Sequence, residues 1–409
     1  MRIEIINTGS ELLLGTTLNT HGAWIGSELI KLGLRVQRQT TVPDGDAIKD
    51  ALCEAMKRSD AIVVTGGIGP TSDDISRELT AEVLGVELIT DEAALRSIEA
   101  FFAARGREMA ENNKKQALTP VGADILPNPH GTAPGVYTPP RMSGDNLCAI
   151  FLLPGPPGEM KPMFRNEVIP RLKSLASVQE DRHIKILKFT GIGESDFHQV
   201  LDEPLAQIPD LEIGYCSRPA EVDLRLIGTE KSILQAVEMA ISAFPDECFS
   251  HKAERLEEVV VKQLAAQNKT LAIAESCTGG EIANRITNVS GASAVFTHGF
   301  ITYSNQSKQQ LLGVNTNLLE KYGAVSKEVA LAMAEGALAR SRADIAIAVT
   351  GIAGPKGGTD EKPVGTVWIG IATLNKRFAT QKYYPQGREI FKQATSQNAL
   401  DLVRQSLTH

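Results

Sequence analysis

At 409 residues the chain is too long for one ordinary hydrophobic core, so two or three domains are expected. Hydrophobic residues make up 42% and charged residues 22%, a globular balance, and no apolar run approaches the length of a bilayer span. A formal net charge of −7 argues against non-specific attachment to DNA, RNA or an anionic membrane, while leaving room for a local basic pocket.

In chain order, Met1–Asn7 reads as a strand with no basic stretch leading into an apolar one, so a cytoplasmic location is expected. Asn19–Leu32 reads as a helix, Leu34–Val42 as a strand and Ala51–Arg58 as a helix. Asp60–Val64 is a buried apolar strand ending in Thr65-Gly66-Gly67, and Ser76–Leu84 is again helical. The strand Ala149–Leu153 runs into Pro154-Gly155-Pro156-Pro157 and resumes as a helix near Glu159. This alternation predicts an α/β first domain over residues 1–170, a mostly parallel sheet between helical layers, with ligands at the carboxyl ends of strands.

Residues 171–250 differ: strands over His183–Thr190 and Glu221–Ile227 and a helix over Lys231–Ala243 make a small α+β unit, read as a spacer or cover. Residues 251–409 return to α/β. A helix over Ala253–Gln267 leads to a strand Thr270–Ala274, a helix Gly280–Val289 and a strand Val295–Tyr303. A helix Lys327–Ser341, strands Ile345–Val349 and Thr366–Thr373 and a closing helix Phe391–Ser406 complete it. The five cysteines, Cys53, Cys148, Cys216, Cys248 and Cys277, form no CxxC pair and read as reduced thiols, with no Cys/His spacing suited to zinc.

The chemistry concentrates at three strand-to-glycine turns of the last domain. Ala274-Glu275-Ser276-Cys277-Thr278-Gly279-Gly280 joins a strand to a helix, a turn that exposes a side chain and aims N–H groups at one spot, either for an oxyanion or simply to cap the helix. Tyr303-Ser304-Asn305-Gln306-Ser307-Lys308 supplies a lysine able to deprotonate a serine if burial lowers its pKa. His298 lies inside a strand and reads as a packing residue, which favours Ser–Lys or Ser–Tyr–Lys over Ser–His–Asp. Thr350-Gly351-Ile352-Ala353-Gly354-Pro355 is the third turn.

AESCTGG, YSNxxK and TGIAGP in this order resemble the C-terminal domain of the CinA family, a nicotinamide-nucleotide amidohydrolase converting nicotinamide mononucleotide to nicotinic acid mononucleotide and ammonia without a cofactor. The resemblance implies Ser276 as nucleophile, Tyr303 and Lys308 as its activators and proton relays, and Thr278, Gly279, Gly280, Thr350 and Gly351 as pocket residues. The family's Gly-Asp-Arg run appears here as Gly387-Arg388 without the Asp, followed by Lys392; Arg388 is the implied phosphate or transition-state contact.

In the first domain, Gly66-Gly67-Ile68-Gly69-Pro70-Thr71-Ser72-Asp73-Asp74 links a strand to a helix, suited to an anion at the glycines and a divalent cation at the acids, or to a plain capping pair. Gly9–Gly15, with Glu11, and Pro43-Asp44 end other strands and converge on the same place. These runs resemble the molybdopterin-binding-like domain at the front of CinA proteins, which implies an ADP-ribose pyrophosphatase dependent on a divalent metal of the magnesium or cobalt type. The implied metal ligands are Asp74 and Asp73, and the implied nucleotide contacts are Glu11, Asp44, Gly66 and Gly67. The likeness extends through LPGPPGEMKPM (Leu153–Met163) and TGIGES (Thr190–Ser195), and departs where Cys216-Ser217-Arg218-Pro219-Ala220 replaces a Pro-Arg-Pro-Gly-like turn. It also implies a homodimer acting on small nucleotides, with no nucleic acid or membrane partner. A pterin or molybdenum-cofactor protein, a non-enzymatic competence or DNA-repair factor, and a chain with one catalytically dead module are the rival readings; the acidic charge weighs against direct DNA contact.

Overall fold

The computed structural model describes residues 1–176 and 183–408. The chain packs as two units, 1–180 and 181–409.

In the first unit β1 (Ile3–Thr8), β2 (Val36–Val42) and β3 (Ala61–Thr65) precede an antiparallel pair, β4 (Leu88–Thr90) with β5 (Leu118–Pro120). Then come β6 (Asp124–Leu126), β7 (Gly135–Ser143) and β8 (Asn146–Leu153). The main sheet runs β2-β1-β3-β8-β7-β6; its first four strands are parallel and its last two turn antiparallel. β1, β3 and β8 are continuously apolar because both faces are covered. Ile3, Ile5, Val63 and Phe151 pack with the helix His21–Ile30 and the helical run 157–175, whereas Ile6, Ile62, Val64 and Ile150 pack with helices Ala47–Met56 and Ser76–Leu84. The expected three-layer α/β arrangement results. The helix read from Ala51 starts earlier, at Ala47, because Ile48 joins Leu52, Ala55 and Met56 in one buried stripe.

The second unit opens with β9 (His183–Thr190), β10 (Glu212–Arg218), β11 (Glu221–Gly228) and β12 (Cys248–Ser250), an antiparallel sheet in the order β10-β11-β9-β12. Helices Glu194–Ala206 and Glu230–Ala243 cover it through Phe189, Phe197, Leu224 and Ala236. A second sheet follows: β13 (Leu271–Glu275), β14 (Phe296–Ile301), β15 (Ile345–Gly351), β16 (Thr366–Thr373) and β17 (Arg377–Tyr383), ordered β14-β13-β15-β16-β17. The first three are parallel and the last two antiparallel. Helices Leu256–Ala266, Glu281–Thr287 and Arg388–Thr408 cover one face, and Thr316–Tyr322 and Lys327–Ser341 the other. No helix among the described residues is long and apolar enough to cross a membrane, and the five cysteines are free.

Candidate active sites

β13, β14 and β15 are mutually parallel, so their carboxyl ends bring three loops to one edge of the sheet. Ser276 follows β13 directly, and its N–H donates to the Val349 carbonyl of β15 at 3.1 Å. Glycines at φ 64° and 101°, Gly279 and Gly280, then turn the chain sharply into the helix Glu281–Thr287. Lys308 sits in the helix Asn305–Leu312, started by Ser304, whose hydroxyl accepts the Ser307 N–H. That helix carries the ammonium under the sheet edge: Lys308 is 1% exposed, and its Nζ donates to Ser276 Oγ at 3.0 Å and to the Thr302 carbonyl at 2.8 Å. Burial pulls the Lys308 pKa below the ordinary lysine value, since a carbonyl and a hydroxyl replace water but bring no negative charge. A serine hydroxyl thus lies against an amine predisposed to take its proton.

Glu275 organises the turn. Its carboxylate, 1% exposed, accepts from the N–H groups of Gly280 (2.9 Å), Ile282 (3.2 Å) and Ala283 (2.9 Å). The N–H of Gly279 goes to the Ser276 carbonyl. This corrects the expectation that N–H groups up to Gly280 face an oxyanion, because an internal carboxylate already neutralises the helix start. The N–H groups of Cys277 and Thr278, which no backbone carbonyl accepts among the described residues, lie against the Cys277 thiol. The Thr278 hydroxyl is fully buried and has no partner among the described residues. Burial pushes the neighbouring Cys277 thiol up to about 12, so it stays protonated and inert.

The remaining expected residues divide. Tyr303 is 59% exposed, and its hydroxyl accepts from Arg388 rather than bonding Ser276 or Lys308. Arg388 also donates to the Gly354 carbonyl at 3.0 Å, tying the second and third loops to the last helix. Lys392, one turn further along, lies 3.6 Å from Glu281. Thr350 is buried and donates its hydroxyl to the Ala324 carbonyl at 2.7 Å, so it braces its loop. At Gly351 a Cβ would meet the Thr366 carbonyl oxygen at 2.8 Å and the Phe391 ring at 2.9 Å, a packing requirement. His298 lies inside β14, exposed, and stacks on Phe300 with ring centroids 5.7 Å apart.

In the first unit, Glu11, Asp44, Gly66, Gly67, Asp73 and Asp74 all line one cleft of about 320 Å³. Asp44 Oδ2 accepts from both the N–H and the hydroxyl of Ser10 at 3.0 Å. Asp74 Oδ2 accepts from the N–H of Thr71 at 2.9 Å and from its hydroxyl, and so does not cap the helix Ser76–Leu84, whose N-cap Ile75 offers no side-chain bond. At Gly66 (φ 99°) a Cβ would stand 2.8 Å from the Thr8 carbonyl oxygen, so only glycine lets the loop lie there. Glu159, which the sequence marks only as the point where a helix resumes, also reaches this cleft. Among the described residues the lining thus holds five carboxylates and no Lys, Arg or His.

No group of three His, Cys, Asp or Glu stands ready to cage a metal among the described residues. That donor set suits a cation of magnesium type, which keeps waters and binds through one or two carboxylates plus ligand phosphates. Positive charge stands behind the wall instead: Arg77 is 2% exposed and donates to the carbonyls of Ile68 and Pro134 at 2.5 and 2.8 Å, while its Nε has no partner among the described residues. Burial lowers its pKa to about 10, which leaves it charged at neutral pH.

The family profile described as the CinA C-terminal domain matches residues 253–407, a probable molybdopterin binding domain matches 4–174, and a damage-inducible protein CinA KH domain matches 184–243. A CinA-like protein from Akkermansia muciniphila is 47% identical over 98% of this chain and 96% of its own length. The chain belongs to the CinA family. A putative competence-damage inducible protein from Caldicellulosiruptor saccharolyticus is 46% identical over 100% of this chain and 99% of its own. Among solved structures, the competence/damage inducible protein CihA from Agrobacterium tumefaciens is 43% identical, covering 38% of this chain and 94% of that one, with a TM-score of 0.37. Within this CinA chain Ser276, Tyr303, Lys308, Thr350 and Arg388 fall in the C-terminal match, and Glu11, Asp44, Asp73, Asp74 and Glu159 in the N-terminal one. The TGIGES and CSRPA runs line a separate cavity of about 350 Å³, with Arg218 and Lys382 among its walls.

Proposed function

We propose that the C-terminal domain hydrolyses the carboxamide of nicotinamide mononucleotide and that the N-terminal domain hydrolyses ADP-ribose with a divalent cation. The observation that carries the first reading is the buried 3.0 Å contact between Lys308 Nζ and Ser276 Oγ. Lys308 in its neutral form takes the Ser276 proton as Oγ attacks the carboxamide carbon. The tetrahedral oxyanion then takes the N–H groups of Cys277 and Thr278 from the thiol, a weaker acceptor. Collapse breaks the C–N bond, and the departing nitrogen takes a proton from Lys308 and leaves as ammonia. Water, deprotonated by the same amine, cleaves the ester to the carboxylate and restores Ser276. Arg388 and Lys392 are the cations in reach of the substrate phosphate, with Tyr303 at the entrance.

For the second reading, Asp73 and Asp74 would hold the cation and Glu11 and Asp44 the nucleotide, in a cleft whose own charge repels an anion arriving alone. When bound, such a cation polarises the pyrophosphate and offsets the charge on its leaving oxygen. A pterin ligand is the rival in this cleft, supported by the match to a probable molybdopterin binding domain; pterin binding without ADP-ribose turnover would decide for it.

Ammonia release from nicotinamide mononucleotide tests the main reading. Wild type releases ammonia, whereas Ser276→Ala and Lys308→Met lose it by a factor of about 100 or more with unchanged melting. Near-wild-type turnover by Ser276→Ala would remove the covalent mechanism.

A further inference from the structure

We infer that a second cavity of the first unit, about 300 Å³ beside the helix Glu92–Ala103, seats the purine of the nucleotide, and that Asp91 selects its 6-amino group. The assignment rests on the pyrophosphatase reading above. β4 leads directly into Asp91 at the start of that helix, and β6 supplies Ile125 to the same cavity. Ala94 and Ile98, four residues apart on one helix face, are buried there, and Pro134 closes the lining.

The cavity and the acidic cleft share a wall. Thr132 lines both, and its hydroxyl accepts from the Gln116 amide at 3.2 Å, Gln116 being a cleft residue. Gly131 lines the cavity and lies against Glu159 of the cleft, since a Cβ on Gly131 would run into Glu159 Oε2. A ligand that leaves its pyrophosphate with the cation in the cleft therefore has its base one ribose away, across the edge made by Gly131 and Thr132.

The chemistry of the cavity separates base from phosphate and sugar. Its lining holds no Lys, Arg or His among the described residues, so it offers no cation to a phosphate. Its walls are mostly apolar, which suits the faces of a purine better than the hydroxyls of a ribose. Asp91 is the one ionisable group among the described lining residues. Its orientation is fixed by its place in the chain: Oδ1 accepts the Ala94 N–H at 2.8 Å as the helix cap, and its own N–H donates to the Ala117 carbonyl at 2.9 Å. Oδ2 meets no protein donor among the described residues. The buried Asn128 cannot share the task, because both its amide hydrogens go to the Ala133 carbonyl and Glu159 and its oxygen accepts the His130 N–H. Discrimination at the purine edge thus falls to an oxygen that only accepts, and the 6-amino group of adenine is a donor.

The full-length chain with magnesium provides the test, using ADP-ribose and its analogue with hydrogen in place of the purine 6-amino group. The wild type is expected to favour ADP-ribose by about 10- to 100-fold in kcat/KM, the worth of one hydrogen bond to a charged acceptor. In Asp91→Asn the cap still needs an oxygen facing the Ala94 N–H, so the NH2 group turns to the cavity and opposes the amino group. Discrimination should then fall to within about three-fold through loss on ADP-ribose alone, the analogue keeping its wild-type kcat/KM. Melting and ammonia release from nicotinamide mononucleotide check the fold. Equal turnover of both substrates by the wild type, or an equal loss on both in the variant, overturns the assignment and leaves the pyrophosphatase reading standing. Absence of magnesium-dependent ADP-ribose turnover in the wild type overturns both.

Discussion

Lys308 has a hydroxyl and a carbonyl as its hydrogen-bond partners, and that choice determines its behaviour with pH. Burial holds its pKa below the ordinary 10.5, so the folded chain releases this proton before the unfolded chain does. Between the folded value and 10.5 the unfolded chain binds more protons; stability therefore rises with pH across that window and is lost as pH falls through the folded value. Deamidation needs the neutral amine, so its rate should climb as pH rises towards the folded value and level off above it. Lys308→Arg keeps its proton at any pH the fold survives, and its turnover should stay flat and about 100-fold or more below wild type. Recovery of that variant at high pH, in a rate profile over the full range, would show that this amine is not the base. Ser276 and Lys308 were legible as local motifs. The triple grip of Glu275 was not, because it exists only once Gly279 and Gly280 turn the helix start back over the strand end. Nor was the engagement of Tyr303 by Arg388, a contact between residues 85 apart in sequence.

Among the elements, the strands buried on both faces and the amphipathic helices were readable from composition, and Lys327–Ser341 has the bounds its pattern gives. The antiparallel edges were not. β7 carries Pro139 and Pro140, which a register shift between Thr138 and Arg141 leaves outside the ladder, and β17 is a half-polar strand without clean alternation. The hairpin of β10 and β11 is similar: Arg218 pairs with Glu221 across a two-residue turn, Pro219-Ala220. Proline presets the first turn position, and the second requires a left-handed residue, here Ala220 at φ 59°. An alanine Cβ in that conformation costs roughly 1 kcal/mol, and the family-like glycine would relieve it. Ala220→Gly should therefore stabilise the second unit by about 0.5 kcal/mol or less, after the greater freedom of glycine in the unfolded chain is set against the relief. A urea midpoint that fell would mean that the Thr190 hydroxyl bond to the Ala220 carbonyl depends on the alanine backbone.

At the scale of the molecule, two sites of opposite electrostatic character are built on separate cores. The C-terminal site carries basic side chains, with Lys308 on Ser276 and Arg388 on Tyr303, and the reaction proposed for it would develop a single negative charge that nearby N–H groups can meet. The N-terminal cleft lines itself with five carboxylates, so a doubly charged pyrophosphate entering alone would meet like charge, screened but not cancelled by Arg77 behind the wall. A divalent cation would reverse that sign, whereas the serine mechanism proposed above has no step that needs one. Chelator should accordingly abolish ADP-ribose hydrolysis, and excess magnesium should restore it, while ammonia release from nicotinamide mononucleotide proceeds unchanged in the same sample. Gly66→Ala should reproduce the chelator's selectivity without removing any ion, because its Cβ would drive the loop from the Thr8 carbonyl and displace the wall that the nucleotide meets. If chelator silenced both reactions, the serine mechanism would need a metal that its amine, hydroxyl and backbone donors make unnecessary, and the division of chemistry between the two units would fail.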